Sequence, residues 1–128
     1  MVERNQETPT RVFVYGTLRP GNVLYHHISH AVLETIPDEI TADLHISTNN
    51  WYPIAVPGTG NIIGTVLTIR PEYLKILDDI EGVPKLFDRH EIITKGGLQA
   101  YVYFGSGAVK GARIYHGDFN KFLQDREE

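Results

Sequence analysis

The chain has 128 residues, of which 41% are hydrophobic and 22% are charged, as in an ordinary single-domain globular protein. Its formal net charge is −4, and Lys and Arg are scattered singly, so it lacks the basic stripe with which proteins bind nucleic acid. The absence of cysteine excludes disulfides, thiolate catalysis and Cys-based zinc sites.

No apolar run is long enough to span a bilayer, and the first ten residues are polar where a secretory signal would be apolar. We therefore expect a soluble cytoplasmic protein with neither a nucleic-acid nor a membrane partner. Its organisation is expected to be a flexible N-terminus over residues 1–10, one domain over residues 11–124 and a frayed C-terminus over residues 125–128.

The first predicted element is a buried strand that stops abruptly at a glycine. Val12–Tyr15 favour a strand, and Gly16 follows directly. Thr17 and Leu18 then lie in a loop that a nearby Pro-Gly pair keeps from becoming a helix. Backbone N–H groups exposed in such a loop form a small pocket for an oxygen-bearing ligand.

Strands dominate the middle of the chain after a short helix predicted over Asn22–His30. Gly64 interrupts the last of these strands, and a glycine inside a strand indicates a bulge or a close backbone approach, here to the Tyr15 loop. The predicted segments are Ala31–Ile36, a turn at Pro37-Asp38, Thr41–Ser47, an extended stretch from Trp51 to Gly58, and Asn61–Arg70.

The last third of the chain predicts two helices around a hairpin. Pro71–Ile80 carries an apolar stripe at helical spacing, and Asp118 can cap a final helix that turns Phe119, Phe122 and Leu123 inward. Between them we expect the strands His90–Thr94, Leu98–Phe104 and Ala112–Tyr115, the first two joined by a glycine turn. Strands and helices do not alternate regularly, which favours an α+β fold: a small mixed, mostly antiparallel barrel with one or two packed helices.

Three carboxylates, Asp78, Asp79 and Glu81, end the Pro71–Ile80 helix and its turn. The negative end of the helix dipole disfavours further negative charge, so a partly buried carboxyl here should have a raised pKa, as a general acid or base needs. We interpret Asp78 and Asp79 as solvated. Glu81 lies in the helix-to-glycine turn, where a side chain can be aimed across a cavity.

Short motifs follow one another along nearly the whole chain from Val12 onward. They are Val14–Gly21, Tyr52-Pro53 with Gly58, Gly64–Val66, Leu77–Gly82, Arg89, Tyr101–Tyr103 and Gly117–Phe119. In this order they resemble the gamma-glutamylcyclotransferase-like family, and most of all its short members, which include gamma-glutamylamine cyclotransferases.

The resemblance implies a barrel whose cavity holds a gamma-glutamyl group. Tyr15, Gly16, Thr17 and Leu18 match the family loop that contacts the glutamyl part of the substrate. Glu81 matches the catalytic acid/base, which acts without a metal or cofactor. The implied reaction acts on a gamma-glutamyl peptide or amine and releases 5-oxoproline and the free amine.

Phe87 stands where many relatives of the family have a tyrosine. The ring is kept and the hydroxyl is lost, so we expect Phe87 to remain part of the substrate site with one hydrogen bond fewer. This departure leaves the identity of the substrate open.

Other residue patterns give weaker hypotheses. His26, His30 and Glu34 fall at four-residue steps and could ligate zinc on one helix face. Ser29 or Ser106 with a histidine would suggest a hydrolase triad, but neither lies in a Gly-x-Ser-x-Gly elbow.

A rival interpretation is a binding module that kept the glutamyl-shaped cavity and lost turnover. Trp51 and the tyrosines are better explained as core or cavity wall than as a platform for stacking bases.

Overall fold

The computed structural model describes residues 8–49, 51–106 and 110–126. Six strands and two α-helices make up the regular structure of this part of the chain, together with three short 3₁₀ turns. The strands are β1 (Thr10–Val14), β2 (Val32–Ser47), β3 (Pro53–Ile69), β4 (Phe87–Ile93), β5 (Gln99–Gly105) and β6 (Lys110–Arg113). The α-helices are α1 (Leu74–Glu81) and α2 (Phe119–Arg126), and the 3₁₀ turns are Tyr25–His27, Ser29–Ala31 and Pro71–Tyr73.

All six strands form one curled sheet in the order β4-β5-β1-β3-β2-β6. Neighbours are antiparallel except that β5 runs parallel to β1, at Val12↔Tyr101, and to β3, at Ala55↔Phe104. β1 and β3 also pair with each other, so β5 meets two strands that are themselves neighbours, and the sheet curls into a half-barrel. The predicted mixed, mostly antiparallel α+β fold is confirmed.

The two faces of the sheet bury different side chains. Val12 and Val14 of β1 pack in a cluster with Leu77 of α1, whereas Phe13 packs in a second cluster with Phe119 of α2. Alternation along β1 thus sends successive side chains to opposite cores. Helix α1 covers one face and helix α2 the other.

The predicted break between two strands at Pro37-Asp38 is wrong, because β2 runs unbroken from Val32 to Ser47. Pro37 is paired with Thr65 of β3, and among the described residues β6 reaches only the far end of β2, at His45 and Ser47. The other side of Pro37 is therefore a sheet edge, where a missing N–H removes no ladder hydrogen bond.

β3 is likewise one strand where two extended segments were expected. Its irregular part lies opposite a register shift between Thr41 and Asp43, and the Asp43 carboxylate accepts a hydrogen bond from the Gly60 N–H at 2.9 Å. A side chain thus replaces the backbone partner that the bulge removes.

Differences at the helices are smaller. The helix expected over Asn22–His30 is a pair of 3₁₀ turns, and the one expected over Pro71–Ile80 is a 3₁₀ turn that continues as α1. Asp118 caps α2 as predicted, accepting a hydrogen bond from the Asn120 N–H at 3.0 Å.

At the ends of the chain, β1 begins at Thr10, inside the expected flexible N-terminus, and α2 runs two residues into the expected frayed C-terminus, to Arg126. Residues 1–7 and 127–128 of those two predictions lie outside the described residues. Within the described part, no helix combines the length and apolar character needed to cross a membrane.

Candidate active site

A cavity of about 320 Å³ lies where β1 ends, between the start of β3 and the end of α1. The six residues that the sequence assigns to the site all line it: Tyr15, Gly16, Thr17, Leu18, Glu81 and Phe87. Its other walls are mostly apolar and include Phe13, Val14, Val23, Leu24, Trp51, Tyr52, Pro53, Ile80, Leu86 and Tyr103. Residues far apart in sequence therefore meet in one hollow.

Gly16, the glycine that follows Tyr15, has no room for a side chain because Pro53 packs against it. A β-carbon at Gly16 would lie 2.4 Å from Cγ of Pro53, which also lines the cavity. Gly64 has the same role one strand away, since a β-carbon there would lie 2.4 Å from the carbonyl oxygen of Val14. The close backbone approach predicted at Gly64 is confirmed, and both glycines let the loop sit directly on β3.

Hydrogen bonds to α2 hold the loop in place. The Asn22 side chain donates to the Gly16 carbonyl and to the Asn120 side chain, each at 2.7 Å. Arg19 pairs with Asp118, the cap of α2, at 3.0 Å. The loop is therefore ordered before any ligand arrives.

The N–H groups of Gly16, Thr17 and Leu18 donate no hydrogen bond to any described residue. Gly16 and Leu18 are buried, and a buried N–H without an acceptor is uncommon in folded proteins. These donors are free to bind an oxygen atom held in the cavity.

Tyr15 closes the sheet just beyond the end of β1. Its hydroxyl donates to the Tyr103 carbonyl at 2.6 Å and accepts from the Ala55 N–H at 3.2 Å, so it bridges β5 and β3. Burial, together with the charge of Glu81, raises the pKa of Tyr15 far above its usual value, against the smaller opposing effect of the Ala55 bond. The phenol stays protonated, and its donor is used within the protein.

Glu81 is the last residue of α1, and its carboxylate has no hydrogen bond or ion pair with any described residue. Gly82 ends the helix with φ of 71°, in the left-handed region that favours glycine. Burial raises the pKa of Glu81 from 4.5 to about 7. A carboxyl that titrates near neutrality can both take and return a proton.

Asp78 is paired within the protein and its side chain is 23% exposed, contrary to the sequence interpretation of a solvated carboxylate. One carboxylate oxygen accepts a hydrogen bond from the Tyr103 hydroxyl at 2.7 Å, and the other pairs with Arg89 at 2.5 Å. Asp79 is exposed as expected. Asp78 precedes Glu81 by three residues on α1, so it fixes the helix face that carries Glu81 against β4 and β5.

Sequence reasoning thus missed Asp78 and Tyr103 as site residues. The signal available was the three-residue spacing of Asp78 and Glu81, which places both on one side of a helix. Burial and the adjacent Asp78 carboxylate raise the pKa of Tyr103 well above its usual value, so it remains a hydrogen-bond donor.

Phe87 lies in the cavity wall and is only 4% exposed. Its ring meets that of Tyr52 edge-on, with the centroids 6.2 Å apart. The ring therefore packs as the sequence analysis expects.

The weaker hypotheses find no support. Among the described residues no group of three or more His, Cys, Asp or Glu side chains could hold a metal ion. His26 and His30 lie in separate 3₁₀ turns and Glu34 in β2, so the helical spacing assumed for zinc ligands is absent. Ser106 donates to the Pro84 carbonyl at 2.9 Å rather than to a histidine.

Residues 12–121 match the sequence model of a protein family that is described as gamma-glutamyl cyclotransferase, AIG2-like. The chain belongs to this family. The resemblance drawn from the ordered motifs is confirmed, and this family member is an enzyme of the gamma-glutamylcyclotransferase type.

Three similar proteins span much of this cyclotransferase-family chain. A Danio rerio protein named gamma-glutamylaminecyclotransferase A is 32% identical over 113 residues, which cover 81% of this chain and 66% of the zebrafish protein. A Vibrio cholerae protein, provisionally named a gamma-glutamylcyclotransferase, is 35% identical over 96 residues, 72% of this chain and 78% of its own. The crystal structure of an uncharacterized protein from Pyrococcus horikoshii superposes with a TM-score of 0.76 at 28% identity, covering 92% of this chain and 96% of that one.

Proposed function

We propose that this enzyme cyclises a gamma-glutamyl peptide or gamma-glutamyl amine, releasing 5-oxoproline and the free amine, with Glu81 as general acid and base. The observation that carries the proposal is that the Glu81 carboxylate and the N–H groups of Gly16–Leu18, none of which has a hydrogen-bond partner among the described residues, line the same cavity. The name of the zebrafish relative supports a gamma-glutamyl amine as the substrate class.

In the first step, ionised Glu81 takes a proton from the alpha-ammonium of the substrate. The freed nitrogen attacks the gamma-carbonyl carbon, a new C–N bond closes a five-membered ring, and the carbonyl π electrons move to oxygen. Backbone N–H groups of Gly16–Leu18 stabilise this oxyanion, and because the loop is already fixed they need no reorganisation.

In the second step, the oxyanion collapses, the C–N bond to the leaving amine breaks, and Glu81 returns its proton to the departing nitrogen. Glu81 then takes a second proton from the ring nitrogen and passes it to the amine, so one of the three ammonium protons stays on the lactam nitrogen and two leave with the amine as an ammonium ion. Glu81 ends as a carboxylate. Because the attack is intramolecular, the site mainly has to hold the substrate in a reactive shape.

The decisive experiment measures 5-oxoproline released from a panel of gamma-glutamyl amines and peptides. Glu81→Gln should lower kcat by roughly a hundredfold or more, the usual contribution of a positioned general base. Asp79→Asn is the matched control, since it neutralises an exposed carboxylate two residues away. Unchanged turnover in Glu81→Gln would remove Glu81 from the mechanism.

The same panel tests the rival binding module. A thermal shift with several gamma-glutamyl compounds but no 5-oxoproline from any of them would favour binding without turnover. Phe87→Tyr then restores the hydroxyl found in many relatives, and a large gain in turnover would show that the site is attenuated. The cytoplasmic location and the absence of a nucleic-acid partner stay predictions.

A further inference from the structure

Exposed apolar side chains surround the mouth of the active-site cavity. Val23, Trp51 and Leu86, which we call the apolar rim, all line the cavity and are 69%, 76% and 44% exposed. Single exposed apolar residues are ordinary, but three around one opening form a patch, and such patches mark binding surfaces.

Trp51 is held at this rim by its backbone. Its N–H lies 3.2 Å from the Ser47 hydroxyl and 3.1 Å from the Asn49 side chain, both of which accept from it, while the indole ring remains exposed. The turn thus fixes the backbone and presents a large apolar ring to whatever leaves the cavity.

A second hollow, of about 300 Å³, continues from the rim. It shares Thr17, Val23 and Trp51 with the active-site cavity, and Phe119 and Leu123 of α2 form part of its wall. A group that extends from the reacting carbon past the rim would therefore meet apolar surface on both sides of Trp51.

Charge is scarce along this route. Among the described residues that line the two hollows, Glu81 carries the only carboxyl group, and none is Lys, Arg or His. A carboxylate on the leaving group would lose water without gaining a cationic partner, which is unfavourable.

We propose that the leaving group of the substrate is an apolar amine without a carboxylate, such as an arylalkyl or branched alkyl amine, and that Trp51 and Val23 determine this preference. The inference rests on the proposed function, because the rim receives the leaving amine only if the glutamyl part occupies the cavity beside Glu81. Gamma-glutamyl amino acids are the disfavoured class.

The test compares two substrates that differ by one carboxylate, gamma-glutamylphenethylamine and gamma-glutamylphenylalanine. The first should have a kcat/KM at least about tenfold higher, since an unpaired charge must be desolvated in the second. Gamma-glutamylmethylamine, whose leaving group is too short to cover the rim, serves as the reference substrate.

Trp51→Ala should lower kcat/KM for gamma-glutamylphenethylamine roughly tenfold, the lower end of the effect of an apolar contact in a pocket, and should lower that for gamma-glutamylmethylamine far less, because this leaving group is too short to cover the ring. The methylamine substrate also reports whether the variant is folded. Tyr115→Ala is the control, because it removes an aromatic side chain that is 80% exposed and lines neither hollow.

The outcomes separate the two proposals. Equal or faster turnover of gamma-glutamylphenylalanine, or an equal loss on both amines in Trp51→Ala, would overturn the apolar leaving group while the cyclotransferase activity stands. No 5-oxoproline from any of the three substrates would overturn the proposed function and this inference with it.

Discussion

Glu81→Gln should make the folded protein more stable at alkaline pH while it removes catalysis. The pKa of Glu81 is about 7 in the folded protein and 4.5 in the absence of burial. In the unfolded chain the carboxyl therefore loses its proton at lower pH than in the folded chain, so the free energy of unfolding falls as pH rises from about 4.5 to about 7.

The size of this effect follows from the shift. The two pKa values differ by about 2.5, and at about 1.4 kcal/mol for each pH unit this gives roughly 3–4 kcal/mol of destabilisation above pH 7. Gln has the shape of the protonated acid and stays neutral, so Glu81→Gln should recover that energy at pH 8.5 and gain only a few tenths of a kcal/mol at pH 4.5. For a domain of this size the gain corresponds to roughly 10 °C in Tm.

Urea unfolding of wild type, Glu81→Gln and Asp79→Asn at both pH values measures these differences. Asp79 is exposed and should show no comparable gain at pH 8.5. A stability difference between wild type and Glu81→Gln that is the same at both pH values would refute the assignment of a buried carboxyl that titrates near neutrality. It would also remove the physical basis for Glu81 as the base.

Three further predictions concern the same site. The kcat/KM should rise with pH around a midpoint near 7, because Glu81 must be ionised to accept a proton. Stopped assays of 5-oxoproline release measure this profile. A flat profile between pH 5 and 8 would contradict the role of Glu81 as the base. Asp78→Asn keeps an acceptor for the Tyr103 hydroxyl but loses the negative charge that pairs with Arg89. The kcat should fall roughly tenfold while KM changes little. An effect on KM alone would argue that Asp78 does not position Glu81. Tyr15→Phe removes the hydrogen bonds of the hydroxyl to the Tyr103 carbonyl and the Ala55 N–H and should lower the free energy of unfolding by about 1–3 kcal/mol in urea titrations. No loss would mean that the sheet closes without this hydroxyl.

Local patterns were sufficient for much of the fold. Alternation and glycine turns located the β4–β5 hairpin, and the apolar stripe located α1, because both depend on neighbours within a few residues. The break expected at Pro37 failed because its consequence depends on whether a third strand lies alongside, which is a property of the sheet and not of the segment.

The contrast between local and long-range contacts also explains which residues of the site could be predicted from the sequence. Gly16 and Glu81 carry local signals, a strand ending in glycine and a carboxyl in a helix-ending turn. Asp78 was misjudged because its partners, Arg89 and Tyr103, lie 11 and 25 residues away. The meeting of Val23 and Trp51 at the rim is equally non-local.

Tyr103 joins the two halves of the reaction centre. Its carbonyl receives the Tyr15 hydroxyl and its own hydroxyl binds Asp78, so one residue of a central strand anchors both the donor loop and the helix that bears the base. The sheet therefore holds the loop after Tyr15 and the helix that carries Glu81 in fixed positions relative to each other. Trp51 and Val23 take no part in the hydrogen bonds of Tyr103. Substitutions at these two positions can therefore change the substrate preference while Glu81 and the Gly16–Leu18 loop stay in place.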